Sequence, residues 1–387
     1  MPSVPSQAAL APTRSADLDS RRAAIALGTT LPGDVVLYLL LPMHAASFGV
    51  SLVEVGMLLA ANRLVRIAGY GWVTRFYARH GERPTCTMAV CAAALCAFGY
   101  ATLSGFWLLL PLRLVWGLSF AALNLTTQAL ATAVPQGAAA RSGRSRGYIA
   151  LGPVIALPAG ALLAQWAGPR AIFYVLAVVA LTGLLAVRGL PQRLPSGQVP
   201  TRQRPRLPDA LDTWSFLEGF TLDGLFVIGL SVLGKELAPD GAVVAAGLLL
   251  AMRYAAEIVL SPVGGRMAER WGAERLLVAM SLITAVALAG FGAGLLWSCA
   301  AAIVVLRALQ LPLLAPIVAH RHPGEARVRA LAARSIWRDV GAGTGPLAAG
   351  LLLPVVSSVW IYSVAAVLLA LAAIACGRGS KAATHSR

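Results

Sequence analysis

Long apolar stretches separated by short polar connections make up almost the whole of this chain. A transmembrane helix needs about 20 mostly apolar residues to cross the hydrocarbon core of a bilayer. Twelve stretches of roughly this length lie at 23–47, 52–74, 85–103, 106–133, 147–167, 170–189, 213–235, 243–264, 275–296, 299–319, 333–354 and 357–377. The pattern therefore predicts an all-α membrane protein with twelve transmembrane helices.

The composition agrees with this prediction. Hydrophobic residues make up 58% of the chain and charged residues only 12%, whereas an ordinary soluble domain has about 25% charged residues. A soluble enzyme, a disordered chain and a nucleic-acid-binding domain are all disfavoured. The first apolar run is long and contains Asp34, so it is interpreted as a first transmembrane span and not as a cleaved signal peptide.

The net charge of +16 predicts the orientation of the chain in the membrane. With the N-terminus in the cytoplasm, 25 of the 32 Lys and Arg residues fall in cytoplasmic segments, and only Arg170 and Lys235 fall outside. Cytoplasmic loops characteristically carry this excess of positive charge. We therefore expect both termini in the cytoplasm, and we interpret the loop arginines as topology signals with no ligand. The many Ala, Arg and Gly residues suggest a bacterial inner membrane protein.

A Pro-, Gln- and Arg-rich segment at 190–212 divides the chain into two halves of six spans each. The predicted organisation is a cytoplasmic tail at 1–22, a six-helix bundle at 23–189, the linker at 190–212, a second bundle at 213–377 and a cytoplasmic tail at 378–387.

The two halves repeat the same polar landmarks in the same order, 189 to 194 residues apart. The matched landmarks are the acids Asp34 and Asp223, the loops Thr74–Arg83 and Gly265–Arg275, the arginines Arg113 and Arg307, and the Gly-Pro pairs Gly152-Pro153 and Gly345-Pro346. Four such coincidences in series indicate a duplicated six-helix unit, an arrangement that many transporters share.

With these repeated motifs the chain resembles the major facilitator superfamily, and the resemblance covers all twelve spans. It implies a fold of two pseudo-symmetric six-helix bundles. The family has a loop motif, G-x-x-x-D-R-x-G-R-R, that works as a cytoplasmic latch in which the acid binds arginines or a helix end of the neighbouring bundle. The matching residues are Arg79 and Gly81 in the first loop, and Gly265, Glu269, Arg270 and Gly272 in the second. In the first loop Thr74 and Ala78 stand where the family has Gly and Asp.

Two further motifs carry the resemblance. Arg113 and Gly117 resemble an R-x-x-x-G motif that the family links to proton coupling. The run from Gly341 to Gly350 resembles G-x-x-x-G-P-x-x-G-G, which the family associates with antiporters and usually carries in span 5. Tight packing between helices is an equally good reading of such glycines and prolines. The residues concerned are Gly152, Pro153, Gly341, Gly345, Pro346 and Gly350.

Asp34 and Asp223 are predicted to lie near the membrane midplane. A charge in hydrocarbon costs at least about 2.5 kcal/mol, so it must face a partner or a wet cavity. A buried carboxylate can exchange a proton, and transporters place such groups between their repeats. We therefore predict that Asp34 and Asp223 couple transport to protons, and the resemblance to the R-x-x-x-G motif implies the same role for Arg113. A structural ion pair is the alternative for both acids, and Glu218 could hold the role of Asp223.

Spans 2 and 8 are predicted to line a substrate cavity. Asn62, Arg66 and Tyr70 recur every four residues and form one polar stripe, flanked by Arg63. These arginines need a partner, which could be Asp34, another acid or an anionic substrate. Span 8 mirrors them with Arg253 and Glu257, which can neutralise each other. The predicted cavity residues are Asn62, Arg63, Arg66, Tyr70, Arg253, Glu257 and Arg307.

These features predict a secondary active transporter that is not an enzyme. No G-x-x-x-x-G-K-[ST] run for ATP occurs, so the energy should come from an ion gradient. The preferred hypothesis is proton-coupled export, by antiport, of a small amphiphilic compound such as a drug, a siderophore-like chelator or a metabolite. Proton-coupled import of an organic anion or sugar-like solute, and a lipid or glycolipid flippase, are alternatives. We expect a monomer that needs no cofactor, no metal and no nucleic acid, with the substrate, the proton gradient and the bilayer as its partners.

Overall fold

The computed structural model describes residues 7–192, 208–237, 242–324 and 326–385, and these residues are almost entirely helical. The first half contains α1 (Gln7–Met43), α2 (Leu52–His80), α3 (Glu82–Thr102), α4 (Phe106–Ala131), α5 (Ala138–Ala167) and α6 (Ala171–Arg188). The second half contains α7 (Ala210–Glu218), α8 (Phe226–Leu237), α9 (Ala242–Trp271), α10 (Ala273–Gly292), α11 (Leu296–Gln310), α12 (Leu314–Arg321), α13 (Ala326–Leu352) and α14 (Ser358–His385). Most of the predicted linker at 190–212 lies outside the described residues.

The twelve predicted spans map onto these helices, and the predicted all-α, two-bundle fold is confirmed. Span 7 consists of α7, a π-helical segment (Gly219–Leu225) and α8, and span 10 consists of α11 and α12. The break in span 10 falls at Pro312, which has no backbone N–H to continue a helix. Eight described helices are long and apolar enough to cross a membrane by length and composition. The other four spans, on α2, α7–α8, α9 and α13, carry most of the ionisable side chains of the central site.

Three helices begin well before the apolar stretches that predicted them. α1 begins at Gln7, α5 at Ala138 and α13 at Ala326, whereas the apolar stretches begin at 23, 147 and 333. Polar contacts hold these extensions in place, for example the ion pair of 2.9 Å between Asp17 on α1 and Arg144 on α5. Hydropathy marks only the part of a helix that is in lipid, so it underestimates helices that continue into water.

The two halves share a core at one end of the molecule. We call this the motif end, because it carries the loops in which Gly81 and Gly272 adopt positive φ angles of 78° and 85°. There one buried apolar cluster joins residues of both halves, such as Leu27 and Leu130 with Leu277 and Leu313. Towards the other end each half has its own separate apolar cluster. The halves are thus packed together at the motif end.

Glycines bring helices unusually close within each half. A Cβ on Gly152 of α5 would lie 2.0 Å from the carbonyl oxygen of Gly28 on α1. In the second half, a Cβ on Gly341 would lie 2.0 Å from the carbonyl oxygen of Phe216, and Gly345 meets the π-helical segment in the same way. The predicted packing role therefore has a structural basis at these three glycines.

Gly350 does not share this packing. A Cβ there would meet no atom within 4 Å, and the residue is exposed. Nine residues separate Gly350 from Gly341, which at about 100° per residue places them on opposite faces of the helix. The packing prediction for Gly350 has no support in the contacts, while Ala349 beside it is fully buried.

We expect the Gly152→Ala substitution to destabilise the first half, because the added methyl group would collide with the backbone of α1. Overpacking of this kind costs about 1–3 kcal/mol. Thermal unfolding in detergent should show a lower Tm for this variant. Gly71→Ala is the matched control, because its Cβ would meet open space on α2; an equal Tm for both variants would contradict the packing argument.

Candidate functional site

Asp34 is the centre of a buried ion pair in the first half. Its Oδ1 atom lies 2.5 Å from Nη1 of Arg113 on α4, and Asn62 of α2 donates to the same oxygen at 3.2 Å. Arg113 is 0% exposed and also donates from Nε to the carbonyl of Leu58. Three helices thus converge on one carboxylate, and the charge of Arg113 offsets that of Asp34 in the low-dielectric interior.

Asp223 occupies the equivalent position in the second half. Its Oδ1 lies 2.6 Å from Nη2 of Arg307, the repeat partner of Arg113. Arg338 of α13 adds a contact of 2.7 Å to Oδ2, and Arg253 of α9 lies 3.6 Å from Oδ1. The duplication seen in the sequence therefore appears as two related aspartate–arginine pairs, of which the second is surrounded by more positive charge.

The π-helical segment explains why Glu218 and Asp223 act together. Glu218 accepts from Nε of Arg338 at 2.8 Å and lies 3.5 Å from Arg307, so the two acids share both arginines. In a regular α-helix residues five apart are separated by about 140° around the axis. A π-helical turn has i→i+5 hydrogen bonds and brings such residues close to one face. Both acids therefore contact the same two arginines, Arg307 and Arg338.

Of the possible partners for Arg66, the structure shows an acid other than Asp34. Arg66 Nη2 forms its ion pair with Oδ1 of Asp339 on α13, at 3.2 Å. The reason is depth: Asn62 contacts Asp34, and Arg66 lies one helical turn further towards the motif end. Arg66 also packs over the ring of Phe120, 4.8 Å from its centroid. This ion pair therefore joins the two halves.

The rest of the polar stripe on α2 also faces the second half. Arg63 Nη1 donates to the backbone carbonyl of Ala342 on α13. Tyr70 is fully buried and lines a small internal cavity together with Asp339. Arg63, Arg66 and Tyr70 are thus gathered at the seam between α2 and α13, whereas Asn62 contacts Asp34 within the first half.

Arg253 and Glu257 pair within α9, as their spacing predicted. Nε of Arg253 lies 3.4 Å from Oε1 of Glu257, while its Nη1 reaches Asp223. The side chain of Arg253 is 27% exposed and that of Arg338 is 28% exposed. Each has donors left over, so these two guanidinium groups are available to an anionic group entering the site.

Sequence reasoning missed Arg146, Arg338 and Asp339. Arg146 and Arg338 were counted as loop arginines, but both lie within helices and face the interface between the halves. For Arg146 the error follows from the helix start, because α5 begins at Ala138 and its apolar stretch only at 147. Arg338 lies inside the predicted span at 333–354, near its start, and was counted with the loop before it. The adjacent charges of Arg338 and Asp339 just before a glycine-rich span were the only signal in the sequence.

A cavity of about 70 Å³ lies between the halves near the motif end. The polar and ionisable residues in its wall include Tyr70, Ser142, Arg146, Glu218, Gln310 and Asp339. Its volume is large enough to admit water, since about 10–15 Å³ of such space holds one molecule. It connects the ion pairs of the second half with the seam to α2.

The second copy of the loop motif contacts the first half directly. Glu269 Oε1 accepts hydrogen bonds from the backbone N–H groups of Ala139 and Ala140, at 3.0 and 3.2 Å. These groups belong to the first turn of α5, where unpaired N–H groups and the helix dipole favour a carboxylate. Gly265 allows the close approach, because a Cβ there would lie 2.4 Å from the carbonyl of Ala139.

The remaining motif residues have other environments. Arg79 and Arg270 are exposed, and neither has an ion pair among the side chains that the structure describes. Gly81 and Gly272 form the turns that join α2 to α3 and α9 to α10. The contact between the halves thus comes from the second loop, which carries the acid that the first loop lacks.

Solved structures with a similar fold were found by comparison. The crystal structure of the human organic anion transporter MFSD10 (TETRAN) is similar, with a TM-score of 0.78 and 16% identity over 93% of this chain and 99% of that one. The proton:xylose symporter XylE bound to 6-bromo-6-deoxy-D-glucose has a TM-score of 0.74 and 12% identity, over 93% and 94% of the two chains. At these identities the likeness shows the fold.

No curated protein sequence matches the chain. A family model described as Major Facilitator Superfamily matches residues 23–234 and 213–383, which together include both halves. This chain is therefore a multi-pass membrane protein that belongs to the major facilitator superfamily of transporters.

Proposed function

We propose that this protein exports a small amphiphilic organic anion in exchange for protons, by alternating access between its two halves. The observation that carries the substrate class is an excess of positive charge at the centre of the molecule. Among the described residues, seven arginines there face five carboxylates. They are Arg63, Arg66, Arg113, Arg146, Arg253, Arg307 and Arg338, against Asp34, Glu218, Asp223, Glu257 and Asp339.

An excess of two positive charges in a low-dielectric site needs compensation. A carboxylate or phosphate group of a substrate would supply it, because the guanidinium fork binds such groups with two parallel hydrogen bonds. Arg253 and Arg338 are the partly exposed members of the cluster, and Arg63 uses only a neutral carbonyl as its described partner. We assign these three arginines to the substrate.

The direction of transport is proposed from the glycine–proline pattern of α13. The glycine–proline pattern of α13 resembles the antiporter pattern, which favours exchange of the substrate for protons. Gly341 and Gly345 in this pattern also allow close packing of α13 against its neighbours. Import of an organic anion by proton symport is the second candidate. The arginine excess supports an anionic substrate in either direction, so only the sign of the coupled flux separates the two.

We further propose that the motif end faces the cytoplasm of a bacterium and that the protein is in the inner membrane with both termini inside. The distribution of Lys and Arg along the chain supports this orientation. In that orientation the conformation is closed on the cytoplasmic side, since the shared core and the Glu269 contact both lie at the motif end.

The proposed transport is tested by proton flux in proteoliposomes that contain a pH-sensitive dye. A panel of aromatic and aliphatic carboxylates is compared with the corresponding neutral amides, which have the same shape without the charge. We expect proton movement opposite in direction to at least one carboxylate and none with the amides. Flux with the amides alone would contradict the anionic substrate, and flux in the same direction as the carboxylate would favour import.

Asp34→Asn should abolish the coupling of transport to protons, because the variant cannot alternate between an ion pair and a protonated acid. The change also leaves the buried Arg113 without its carboxylate, which costs about 3–5 kcal/mol. The double variant Asp34→Asn with Arg113→Gln removes both charges and controls for folding. Proton-coupled transport at the wild-type level in either variant would remove Asp34 from the mechanism.

Glu269→Gln should weaken the closed state at the motif end while leaving substrate affinity almost unchanged. A neutral amide interacts more weakly than a carboxylate with the N-terminus of α5, by about 0.3–1 kcal/mol. The measurement is the labelling rate of a cysteine introduced at Ala138, next to the contact. Equal rates in Glu269→Gln and in the parent would show that this contact does not hold the halves together.

A further inference from the structure

Asp339 is a buried carboxylate with fewer direct ionic contacts than Asp34 or Asp223. Its residue is 8% exposed, its Oδ1 has a single ion pair of 3.2 Å with Arg66, and its Oδ2 has no hydrogen-bond partner among the described residues. By contrast, Asp223 has three arginines within 3.6 Å, and Asp34 has Arg113 at 2.5 Å as well as Asn62. The ionised form of Asp339 is therefore stabilised by fewer direct contacts than that of either aspartate.

Water has a route to this carboxylate. Asp339 lies in the wall of the 70 Å³ cavity, which is large enough to admit water and has other polar groups to bind it. The charged and titratable groups around Asp339 and its cavity come from five elements. They are Arg63, Arg66 and Tyr70 on α2, Arg146 on α5, Glu218 on α7, Asp223 in the π-helical segment, and Arg334 and Arg338 on α13 itself.

The ion pair also holds a seam between the halves. Asp339 is on α13 and Arg66 is on α2, so their attraction opposes separation of the two halves. The repeat relates this seam to that between α5 and α9. There Arg146 is equivalent to Asp339 and Glu257 to Arg66, 193 and 191 residues away, with the charges exchanged. Both seams thus contain an arginine and a carboxylate that face each other between the halves.

We propose that Asp339 binds a proton from the water of this cavity and that its protonation releases the seam between α2 and α13. The proton adds to the unpartnered Oδ2, the carboxylate loses its charge, and Arg66 loses its ionic partner in the second half. Arg66 keeps its contact with the ring of Phe120 in its own half, so its charge is not left isolated. Release of the proton to the same water restores the pair and closes the motif end.

This inference rests on the proposed proton coupling and names a second proton site in addition to Asp34. The sign of the pH dependence follows from the chemistry. At high pH Asp339 is ionised, the pair with Arg66 forms and the halves stay together. As pH falls Asp339 becomes neutral, and the population with a separated motif end increases.

The test is a distance measurement by double electron–electron resonance on the full chain in lipid nanodiscs. Spin labels are attached at His80→Cys at the end of α2 and at Ala326→Cys at the start of α13, both exposed positions at the motif end. The exposed Cys91 and half-buried Cys299 are replaced by serine. We expect the parent to shift to longer distances as pH falls. Asp339→Asn should show the long distance at every pH.

Two variants make the result specific. Arg66→Gln removes the other member of the pair and should also lose the pH response, which keeps the test valid if Asp339→Asn does not fold. Asp212→Asn is the control, because Asp212 is a buried carboxylate that pairs with Arg334 inside the second half and does not cross the seam. The Asp212→Asn variant should keep the response.

The outcomes separate this inference from the proposed function. A parent distance that does not change with pH, a normal response in Asp339→Asn, or loss of the response in Asp212→Asn would each overturn the role of Asp339. The measurement needs no substrate, so it remains decisive even if the flux assay shows that transport is not coupled to protons. Conversely, coupled flux together with a normal pH response in Asp339→Asn would leave the proposed function in place and reject this site.

Discussion

The cost of placing charge inside a membrane is the constraint on which this structure depends. Among the described residues, seven arginines and five carboxylates lie at its centre, and each of these carboxylates lies against at least one arginine. Removing one member of such a pair leaves a buried charge, which is strongly destabilising. The ion pairs therefore fix which helices are neighbours: α1 with α4, α7 with α11 and α13, and α2 with α13. They are part of the scaffold and of the site at once.

The backbone gives these pairs their geometry. In the first half, Gly152 lets α5 touch the backbone of α1. In the second half, Gly341 and Gly345 let α13 approach the π-helical segment, and the π-helical turn places Glu218 and Asp223 on one side. Without the wider turn the two acids would point apart, and Arg338 could not bind both. The two halves are thus related by duplication but differ where the second half gathers more charge.

A transporter must separate its halves at one end while keeping each half intact. The apolar clusters suit this requirement, because two of them lie within single halves and the third joins both halves at the motif end. In the described part of the chain, the polar contacts between the halves at that end include a carboxylate at a helix N-terminus, arginines on backbone carbonyls and the ion pair of Arg66 with Asp339. Contacts of this kind can be exchanged for water when the end opens, whereas the pairs within each half remain.

The sequence by itself determined the number of spans, the duplication and the correspondence of Asp34 with Asp223 and of Arg113 with Arg307. These follow from hydropathy and from a repeat offset, which are properties of the chain in one dimension. The sequence could not determine that Arg66 pairs with Asp339 or that Arg338 belongs to the site. Those depend on the rotation and depth of each helix and on which faces meet between the halves, and only tertiary packing sets these.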